Sequence, residues 1–254
     1  MIINRVQLLN IRIDNITREE LLKNLHKGTV ITPNVDHLIK LQKDREFYDI
    51  YQKADYIVLD SMVLFKVLKY LGTPVKEVIA GSDLLPAFCR YHKNNDKIKL
   101  FLLGAMPGVG ERAMQNINER AGREMVVGCY SPPFGFEKNK QECDRIIKRI
   151  RESGANVVAV GLGAPKQEKW IFQYKSELPE VDIFMAIGAT IDFEAGNVKR
   201  APRFYRRNGL EWLYRLFAEP RRLWRRYLIE DLPVFRLIWQ QKKGTYKNPF
   251  ADLE

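Results

Sequence analysis

The 254-residue sequence predicts an α/β fold: a mostly parallel sheet with helices on both faces, followed by a basic helical appendage at the C-terminus. Three observations lead to this class. Short apolar runs alternate with amphipathic helical patterns along most of the chain, as in sheets whose parallel strands are joined by helices. Glycine-rich turns follow several of the apolar runs. Arginines and aromatic residues then interleave from about residue 197. We therefore expect a core domain at 1–196 and an appendage at 197–254.

Composition limits the classes of protein to consider. A chain with 46% hydrophobic and 29% charged residues can bury a core without disulfides or metals. The three cysteines, Cys89, Cys129 and Cys143, have no zinc-site spacing, and their odd number argues against a disulfide framework. Residues 1–10 do not resemble a signal peptide, and no uncharged run reaches the length of about 18 residues that a transmembrane helix needs. We therefore expect a cytoplasmic protein, and its net charge of +11 favours an acidic partner.

The first third of the chain predicts a hairpin, a strand and two helices. Residues 6–13 alternate weakly between apolar and polar, which is typical of a short strand or hairpin. Residues 17–20 match a capping box, and Gly28 can end the helix that follows. Residues 29–32 are all β-branched and predict a strand. The apolar spacing over 35–51 predicts one amphipathic helix.

The remaining core repeats the alternation of strand and helix. A strand at 56–59 precedes a helix that continues to residue 71, where a Gly-Thr-Pro sequence ends it. A second helix follows Gly81, with Ser82 expected as its N-cap. Four further strands are predicted at 99–103, 125–129, 157–160 and 183–187, and a turn and a helical pattern follow each of the first three.

The unusual turns all follow predicted strands. In open parallel sheets, ligands bind beyond the carboxyl ends of the strands. We therefore expect a shared rim that includes Thr32, Asn34, Asp60, Gly104, Tyr130, the segment 161–167 and Asp192.

The segment 161–170 is the most distinctive of these turns. It connects a buried strand to a helix through Gly161-Leu162-Gly163, and Pro165 suits the first turn of the helix. Glycines allow a ligand to approach the backbone, and a helix N-terminus favours negative charge. Lys166 adds a cation, and Gln167 adds a donor and an acceptor. The segment predicts a phosphate or diphosphate site, and the alternative is an ordinary tight strand–helix connection.

The appendage carries most of the excess positive charge. Ten Lys or Arg and two Glu lie between residues 199 and 226, which gives a net charge of +8. The interleaved aromatic residues are typical of helices at a membrane surface, where arginine meets anionic headgroups. Three interpretations remain: a solvated face packed on the core, a membrane-surface segment that also clamps a phosphorylated lipid, or a nucleic-acid-binding segment. The absence of a nucleic-acid-binding motif counts against the third.

A series of short motifs lies in order along nearly the whole chain. They are Thr32-Pro33-Asn34, the turn at Asp60, and the segments 81–84, 103–105, 131–136, 161–170, 195–202, 209–215 and 219–222. With these motifs the sequence resembles the WecG/TagA/CpsF family of bacterial glycosyltransferases (glycosyltransferase family 26). One difference is that Ser61-Met62 follows Asp60, where many relatives carry a glycine-containing turn.

The resemblance implies a Rossmann-like core and an appendage that meets the membrane. It implies an inverting, metal-independent transfer from a UDP-sugar donor to a sugar on a polyprenyl diphosphate, at the inner face of the cell membrane. The products of such enzymes enter teichoic acid linkage units, enterobacterial common antigen or exopolysaccharide. The donor sugar stays open among N-acetylmannosamine, N-acetylmannosaminuronic acid and glucose, although the loop 131–136 favours the branches other than teichoic acid.

The chemistry of inverting transfer fits the residues that the resemblance marks. It needs a base for the acceptor hydroxyl and cations for the leaving diphosphate. The family pattern places Asp60 as the base, and its alternative role is a helix N-cap. Thr32 and Asn34 would orient hydroxyl groups, or would only stabilise the turn. Gln167 would contact the donor sugar or the diphosphate.

Further residues are expected to hold the substrates. Asp192 would bind the nucleoside, unless it only caps a loop, and Tyr130 or Phe134 could border the base. The resemblance implies metal independence, and no Asp-x-Asp motif occurs, so we expect no metal and no other cofactor. The alternative is a metal held by Asp192 and Glu194, the nearest carboxylate pair. The glycine turns would place Gly104, Gly163 and Lys166 near phosphate groups. Three appendage arginines would neutralise the UDP leaving group and the lipid diphosphate by bidentate contact: Arg215, Arg222 and Arg225.

There are two alternative functions. An NAD-type dehydrogenase would carry Gly-x-Gly-x-x-Gly after its first strand, where this chain has Thr-Pro-Asn. A non-catalytic nucleotide- or nucleic-acid-binding module is the remaining alternative. The sequence leaves open the acceptor, the pathway, whether the protein forms a homo-oligomer, and the role of the tail after Lys243.

Overall fold

The computed structural model describes residues 3–198 and 200–251 and contains two sheets. Strands β1 (Arg5–Leu8) and β2 (Ile11–Asp14) form the expected antiparallel hairpin. Six parallel strands form the main sheet: β3 (Gly28–Ile31), β4 (Tyr56–Ile57), β5 (Leu100–Gly104), β6 (Val126–Tyr130), β7 (Val157–Gly161) and β8 (Ile183–Ala186). Their order across the sheet is β4-β3-β8-β7-β5-β6.

Helices lie between the strands and after them. In the core they are α1 (Arg18–Asn24), α2 (Val35–Lys40), α3 (Arg45–Lys53), α4 (Met62–Leu71), α5 (Gly81–Tyr91), α6 (Val109–Ala121), α7 (Lys140–Ser153), α8 (Lys166–Tyr174) and α9 (Thr190–Glu194). The C-terminal part adds α10 (Arg203–Asn208), α11 (Glu211–Ala218), α12 (Pro220–Arg225), a π-helical turn (Arg226–Glu230) and α13 (Pro233–Lys242).

Alternate residues of the central strands enter two different hydrophobic clusters. Leu102 and Ala159 pack in a cluster with residues of α1, α5 and α6, whereas Phe101 and Val158 pack in a cluster with residues of α7 and α8. Successive side chains of a strand point to opposite faces of its sheet, so helices cover both faces. The predicted α/β class is confirmed.

Two local predictions were wrong. The single helix expected over 35–51 is divided into α2 and α3, because the Asp44 side chain accepts a hydrogen bond from the Phe47 backbone N–H (3.0 Å) and caps a new helix. Ser82 is not an N-cap, because α5 already begins at Gly81. The Ser82 hydroxyl instead accepts a hydrogen bond from Arg200 (2.8 Å).

The turns after β5, β7 and β8 touch each other through their backbones. A Cβ atom on Gly104, whose φ is +124°, would lie 2.4 Å from the Gly161 carbonyl oxygen, and one on Gly161 would lie 2.7 Å from the Gly188 oxygen. Helix connections leave β5 and β7 in opposite directions along the sheet, toward β6 and β8 respectively. The two adjacent strands therefore form a topological switch point, where such sheets open a crevice for a ligand.

Gly104→Ala is expected to lower the free energy of unfolding by about 2–4 kcal/mol, since it combines an unfavourable φ with a backbone clash. Gly163→Ala is the control, because Gly163 also has a positive φ (+77°) but has open space around it. Its expected cost is about 1 kcal/mol. Urea unfolding monitored by circular dichroism measures both, and equal losses would contradict the close approach at Gly104.

The end of the chain returns to the core. Val234 and Ile238 of α13 are buried in a cluster that includes residues of α3 and α4. Beyond Lys243, the Tyr246 hydroxyl donates a hydrogen bond to Gln42 (2.7 Å), and the Phe250 ring lies 5.2 Å from that of Tyr48. The tail thus holds the C-terminal helix on the core. The division at residue 196 stays a prediction.

Among the described residues, no helix combines the length and the apolar character needed to cross a bilayer.

Candidate active site

A cavity of about 370 Å³ lies between the carboxyl ends of β3 and β4 and the C-terminal helices. Among the described side chains, its charged lining contains four arginines and four carboxylates: Arg200, Arg206, Arg215, Arg226, Asp60, Asp83, Glu211 and Asp231. Asn34 and Asp60, which follow β3 and β4, are the predicted site residues that the core contributes to the lining.

Asp60 faces this cavity because its neighbour performs the capping. The Ser61 side chain accepts a hydrogen bond from the Leu64 backbone N–H (3.2 Å) and is the N-cap of α4. The alternative role of Asp60 as the helix cap is therefore wrong. Its backbone N–H donates to the Pro33 carbonyl (3.1 Å), which ties the β4 turn to the β3 turn.

Burial raises the pKa of the Asp60 carboxyl well above its usual range. The nearby carboxylate of Glu211 raises the pKa further, while the Arg215 guanidinium and a hydrogen bond from the Gly81 backbone N–H oppose this effect. Protein atoms enclose the carboxyl on the core side, although the residue keeps some exposure through the cavity. A carboxylate with a raised pKa is a stronger base than one in water, which suits proton abstraction.

Asn34 lies beside Asp60 and joins the core to the C-terminal helices. Its side-chain oxygen accepts hydrogen bonds from the Asp36 backbone N–H (3.1 Å), which caps α2, and from Arg226 (3.3 Å). Thr32 does not line the cavity. It is buried, and its hydroxyl donates to the Ala186 carbonyl (3.3 Å), so it links the ends of β3 and β8.

The predicted arginines occupy different places. Arg215 lines the cavity. Arg225 is exposed outside it and forms an ion pair with Glu230 (3.1 Å). The side chain of Arg222 lies outside the described part of the structure.

The sequence did not predict that three other described arginines would line the cavity. Arg226 lies 3.3 Å from the Asp36 carboxylate, and Arg200 forms a 2.6 Å ion pair with Asp83, to which Arg206 also lies close (3.9 Å). Arg226 is the first residue of the π-helical turn, which is marked by a hydrogen bond from the Asp231 N–H to the Arg226 carbonyl. These ion pairs join residues that are distant in the chain, so helical spacing alone could not have revealed them.

Gln167 braces two strand-end turns and does not line the cavity. Its side-chain oxygen accepts a hydrogen bond from the Gly188 N–H (3.0 Å), and its amide N–H donates to Glu168 (2.8 Å). Glu168 is fully buried, and burial raises its pKa to about 7. One oxygen of this carboxyl, Oε2, has no hydrogen-bond partner among the described residues.

Glu168→Gln is expected to stabilise the fold as pH rises. A pKa of about 7 in the folded state, against an ordinary value of 4.5, means that the wild-type protein loses stability as pH rises from about 5 to above 7. Glutamine does not titrate, so the free energy of unfolding of the variant, relative to that of the wild type, should increase over that interval by up to about 3 kcal/mol. Denaturant unfolding at pH 5 and pH 8 measures the difference. A gap that does not change with pH would contradict the burial of an ionisable Glu168.

Lys166 and Tyr130 have partners of their own. The Lys166 ammonium lies 2.9 Å from the Glu137 carboxylate and 4.7 Å from the centre of the exposed Phe134 ring. The Tyr130 hydroxyl donates to Glu142 (2.5 Å), and the Arg149 guanidinium lies 4.6 Å from the ring. Tyr130 therefore faces α7, and Phe134 is the aromatic residue that the rim leaves exposed.

Asp192 lies in α9, after β8, and is partly buried. Its neighbour Glu194 forms an ion pair with Arg120, so this carboxylate pair is not free to act together. Among the described residues, no group of three or more His, Cys, Asp or Glu side chains could hold a metal ion. Metal independence stays a prediction, as does the contact of Asp192 with a nucleoside.

The chain is similar to known proteins over both its core and its C-terminal helices. A model of the glycosyl transferase WecG/TagA/CpsF family matches residues 6–248. The chain is also similar to an N-acetylglucosaminyldiphosphoundecaprenol N-acetyl-β-D-mannosaminyltransferase of Staphylococcus aureus (strain MRSA252). The identity is 27% over 258 aligned residues, which cover 96% of this chain and 95% of the relative.

Proposed function

The chain belongs to the WecG/TagA/CpsF family of glycosyl transferases, and from this premise we propose that it transfers a sugar from a UDP-sugar to a sugar carried on a polyprenyl diphosphate. The Staphylococcus relative supports the acceptor class, since its name specifies an N-acetylglucosaminyl diphosphoundecaprenol. The same name favours N-acetylmannosamine as the transferred sugar. This counts against the weaker indication from the loop 131–136, which favoured the branches other than teichoic acid.

The main support for this proposal is the position of Asp60. Its carboxyl has a raised pKa and lies in a cavity that arginines also line. The Asp60 carboxylate takes the proton of the acceptor hydroxyl as the oxygen attacks the anomeric carbon of the donor. The bond between that carbon and the diphosphate oxygen breaks, and UDP leaves with the bonding electrons. Attack from the side opposite the leaving group inverts the anomeric centre. The β-linkage in the relative's name is consistent with inversion, because UDP-hexoses are commonly α-linked.

Arginines of the cavity supply the positive charge that the acceptor diphosphate requires. Arg215 and Arg226 come from different C-terminal elements and line the same space as Asp60. Guanidinium groups bind phosphate oxygens in a bidentate manner, and such contacts gain strength away from bulk water. The acceptor sugar attached to this diphosphate would then lie next to Asp60.

The donor fits the crevice at the switch point between β5 and β7. Helices α6 and α8 begin there, after Gly108 and Pro165, and neither has a side-chain cap. A helix N-terminus favours negative charge, so the start of either helix suits a phosphate group of the donor. The Val109 and Gln167 N–H groups already donate to the Met106 and Gly163 carbonyls, so the remaining N–H groups of these first turns would serve. Three strand spacings separate β4 from β7, or about 14 Å. An extended nucleotide sugar lying along the rim would direct its anomeric carbon toward Asp60.

The exposed apolar residues of the C-terminal helices fit a membrane surface. Phe204, Phe217, Trp224 and Ile229 are at least about half exposed, among several arginines. Aromatic rings at the lipid boundary and cations at anionic headgroups are the usual features of such a surface. We therefore place the enzyme on the inner face of the cell membrane, where a lipid acceptor is present.

A thermal-shift series separates this function from nucleotide or nucleic-acid binding alone. UDP and its sugar conjugates, at about 100 times their Kd, should raise the Tm by about 5 °C or more. NAD and a short RNA should not raise it, and Asp60→Asn should keep the response to UDP. A response to RNA or NAD without one to UDP would overturn the proposal.

A further inference from the structure

The cavity has an apolar mouth. Leu228, Leu232 and Phe235 all line it, yet 48%, 51% and 59% of their surfaces remain exposed. A side chain that both borders a cavity and reaches solvent lies at the opening. These three residues come from the π-helical turn, the loop after it and α13, so one wall of the opening is built from consecutive C-terminal elements.

The core supplies an apolar wall to the same cavity. Met62 and Val63 lie in the first turn of α4, directly after the Asp60 turn, and Val78 lies in the segment before α5. Charged residues of the cavity, including Asp60 and Arg226, thus share one space with apolar surfaces that lead outward. This arrangement suits a ligand that carries a diphosphate next to a hydrocarbon chain.

We propose that this mouth, formed by Leu228, Leu232 and Phe235, binds the first isoprene units of the acceptor lipid. The proposal rests on the proposed function. A prenyl chain is attached directly to the terminal phosphate, so arginines that hold the diphosphate fix where the chain must leave the cavity. The relative's acceptor, a diphosphoundecaprenol, has this structure. The enzyme would therefore recognise the lipid itself, and would not depend only on sharing a membrane with it.

The test uses two water-soluble acceptors without membranes: N-acetylglucosaminyl diphosphate bearing a chain of two isoprene units, and the same compound bearing a methyl group. For the wild-type enzyme, KM for the prenyl acceptor should be at least about tenfold lower than KM for the methyl acceptor, because binding of the prenyl chain buries apolar surface. Leu232→Ser and Phe235→Ser should each remove most of this difference by raising KM for the prenyl acceptor. KM for the methyl acceptor, and the thermal shift with UDP, should stay unchanged.

Three further variants distinguish binding at the mouth from general effects of changing an exposed apolar residue. Tyr91→Ser changes an aromatic residue that is 53% exposed and lies outside the cavity lining, so both KM values should match the wild type. Phe217→Ser should weaken binding to phosphatidylglycerol vesicles while the preference for the prenyl acceptor remains. Leu232→Met, which keeps an apolar side chain, should restore the preference.

Three outcomes would overturn the inference. Equal KM values for the two acceptors with the wild-type enzyme would show that the lipid chain is not recognised. Loss of both activities in parallel in Leu232→Ser and Phe235→Ser, with the UDP response lost, would assign these residues a structural role. Absence of transfer to either acceptor would overturn the proposed function, and this inference with it.

Discussion

Asp60→Asn is expected to lower kcat by about 10²–10⁴-fold, the usual contribution of a general base, with little change in the affinity for UDP. Asparagine keeps the shape of the side chain but cannot take the proton of the acceptor hydroxyl. Steady-state transfer assays and UDP titrations of the same preparation measure the two quantities. Asp49→Asn is the control, because it removes a carboxylate whose ion pair with Arg45 lies at the surface. Near-normal turnover in Asp60→Asn would remove Asp60 as the base.

The same variant should be more stable than the wild type. The folded-state pKa of Asp60 lies above its ordinary value, so the wild-type protein loses stability as pH rises through that pKa. Asparagine avoids the cost of a buried charge. A higher Tm at neutral pH, together with lost activity, would separate a catalytic role of Asp60 from a structural one. A lower Tm would indicate that the carboxylate holds the fold together.

Arg215→Gln and Glu211→Gln are expected to shift the pH dependence of transfer in opposite directions. Asp60 acts as a carboxylate, so activity falls as pH drops through its pKa. Arg215 lowers this pKa and Glu211 raises it. Loss of Arg215 should therefore move the acidic limb to higher pH, and loss of Glu211 should move it to lower pH. Arg215→Gln should also lower kcat/KM by about 10²-fold, because a cation that binds the acceptor diphosphate is lost.

Profiles of kcat/KM against pH for the two variants and the wild type measure this effect. Arg225→Gln removes a positive charge from the outside of the C-terminal helices, where Arg225 pairs with Glu230, and should leave the position of the acidic limb unchanged. A shift of both cavity variants in the same direction would contradict the coupling of Asp60 to its neighbours.

The sequence predicted the alternation of strands and helices and the location of Asp60 at a strand end, because apolar periodicity and turn residues act locally. Asn34, Asp60 and Arg215 do meet in one cavity. The position of Arg226 in the cavity could not be predicted, because its partners Asn34 and Asp36 are distant in the chain.

Other side-chain roles could not be predicted from the sequence, because the partners of these residues lie far away in the chain. The hydrogen bond from the Gly188 N–H to Gln167 and the ion pair of Lys166 with Glu137 join segments that are distant in the chain. Neither partner is recognisable from local spacing. Gln167 therefore acts first as a brace between turns, and its contact with the donor stays a prediction.

The most direct test of the proposed function is mass spectrometry of a reaction that contains the enzyme, UDP-N-acetylmannosamine and a short-chain prenyl diphosphate bearing N-acetylglucosamine. The expected product is the acceptor made heavier by one N-acetylhexosamine residue, with one UDP released for each product, and Asp60→Asn should form it about 10²–10⁴-fold more slowly. Absence of the heavier product with any UDP-sugar, from folded enzyme that still binds UDP, would contradict the proposed function.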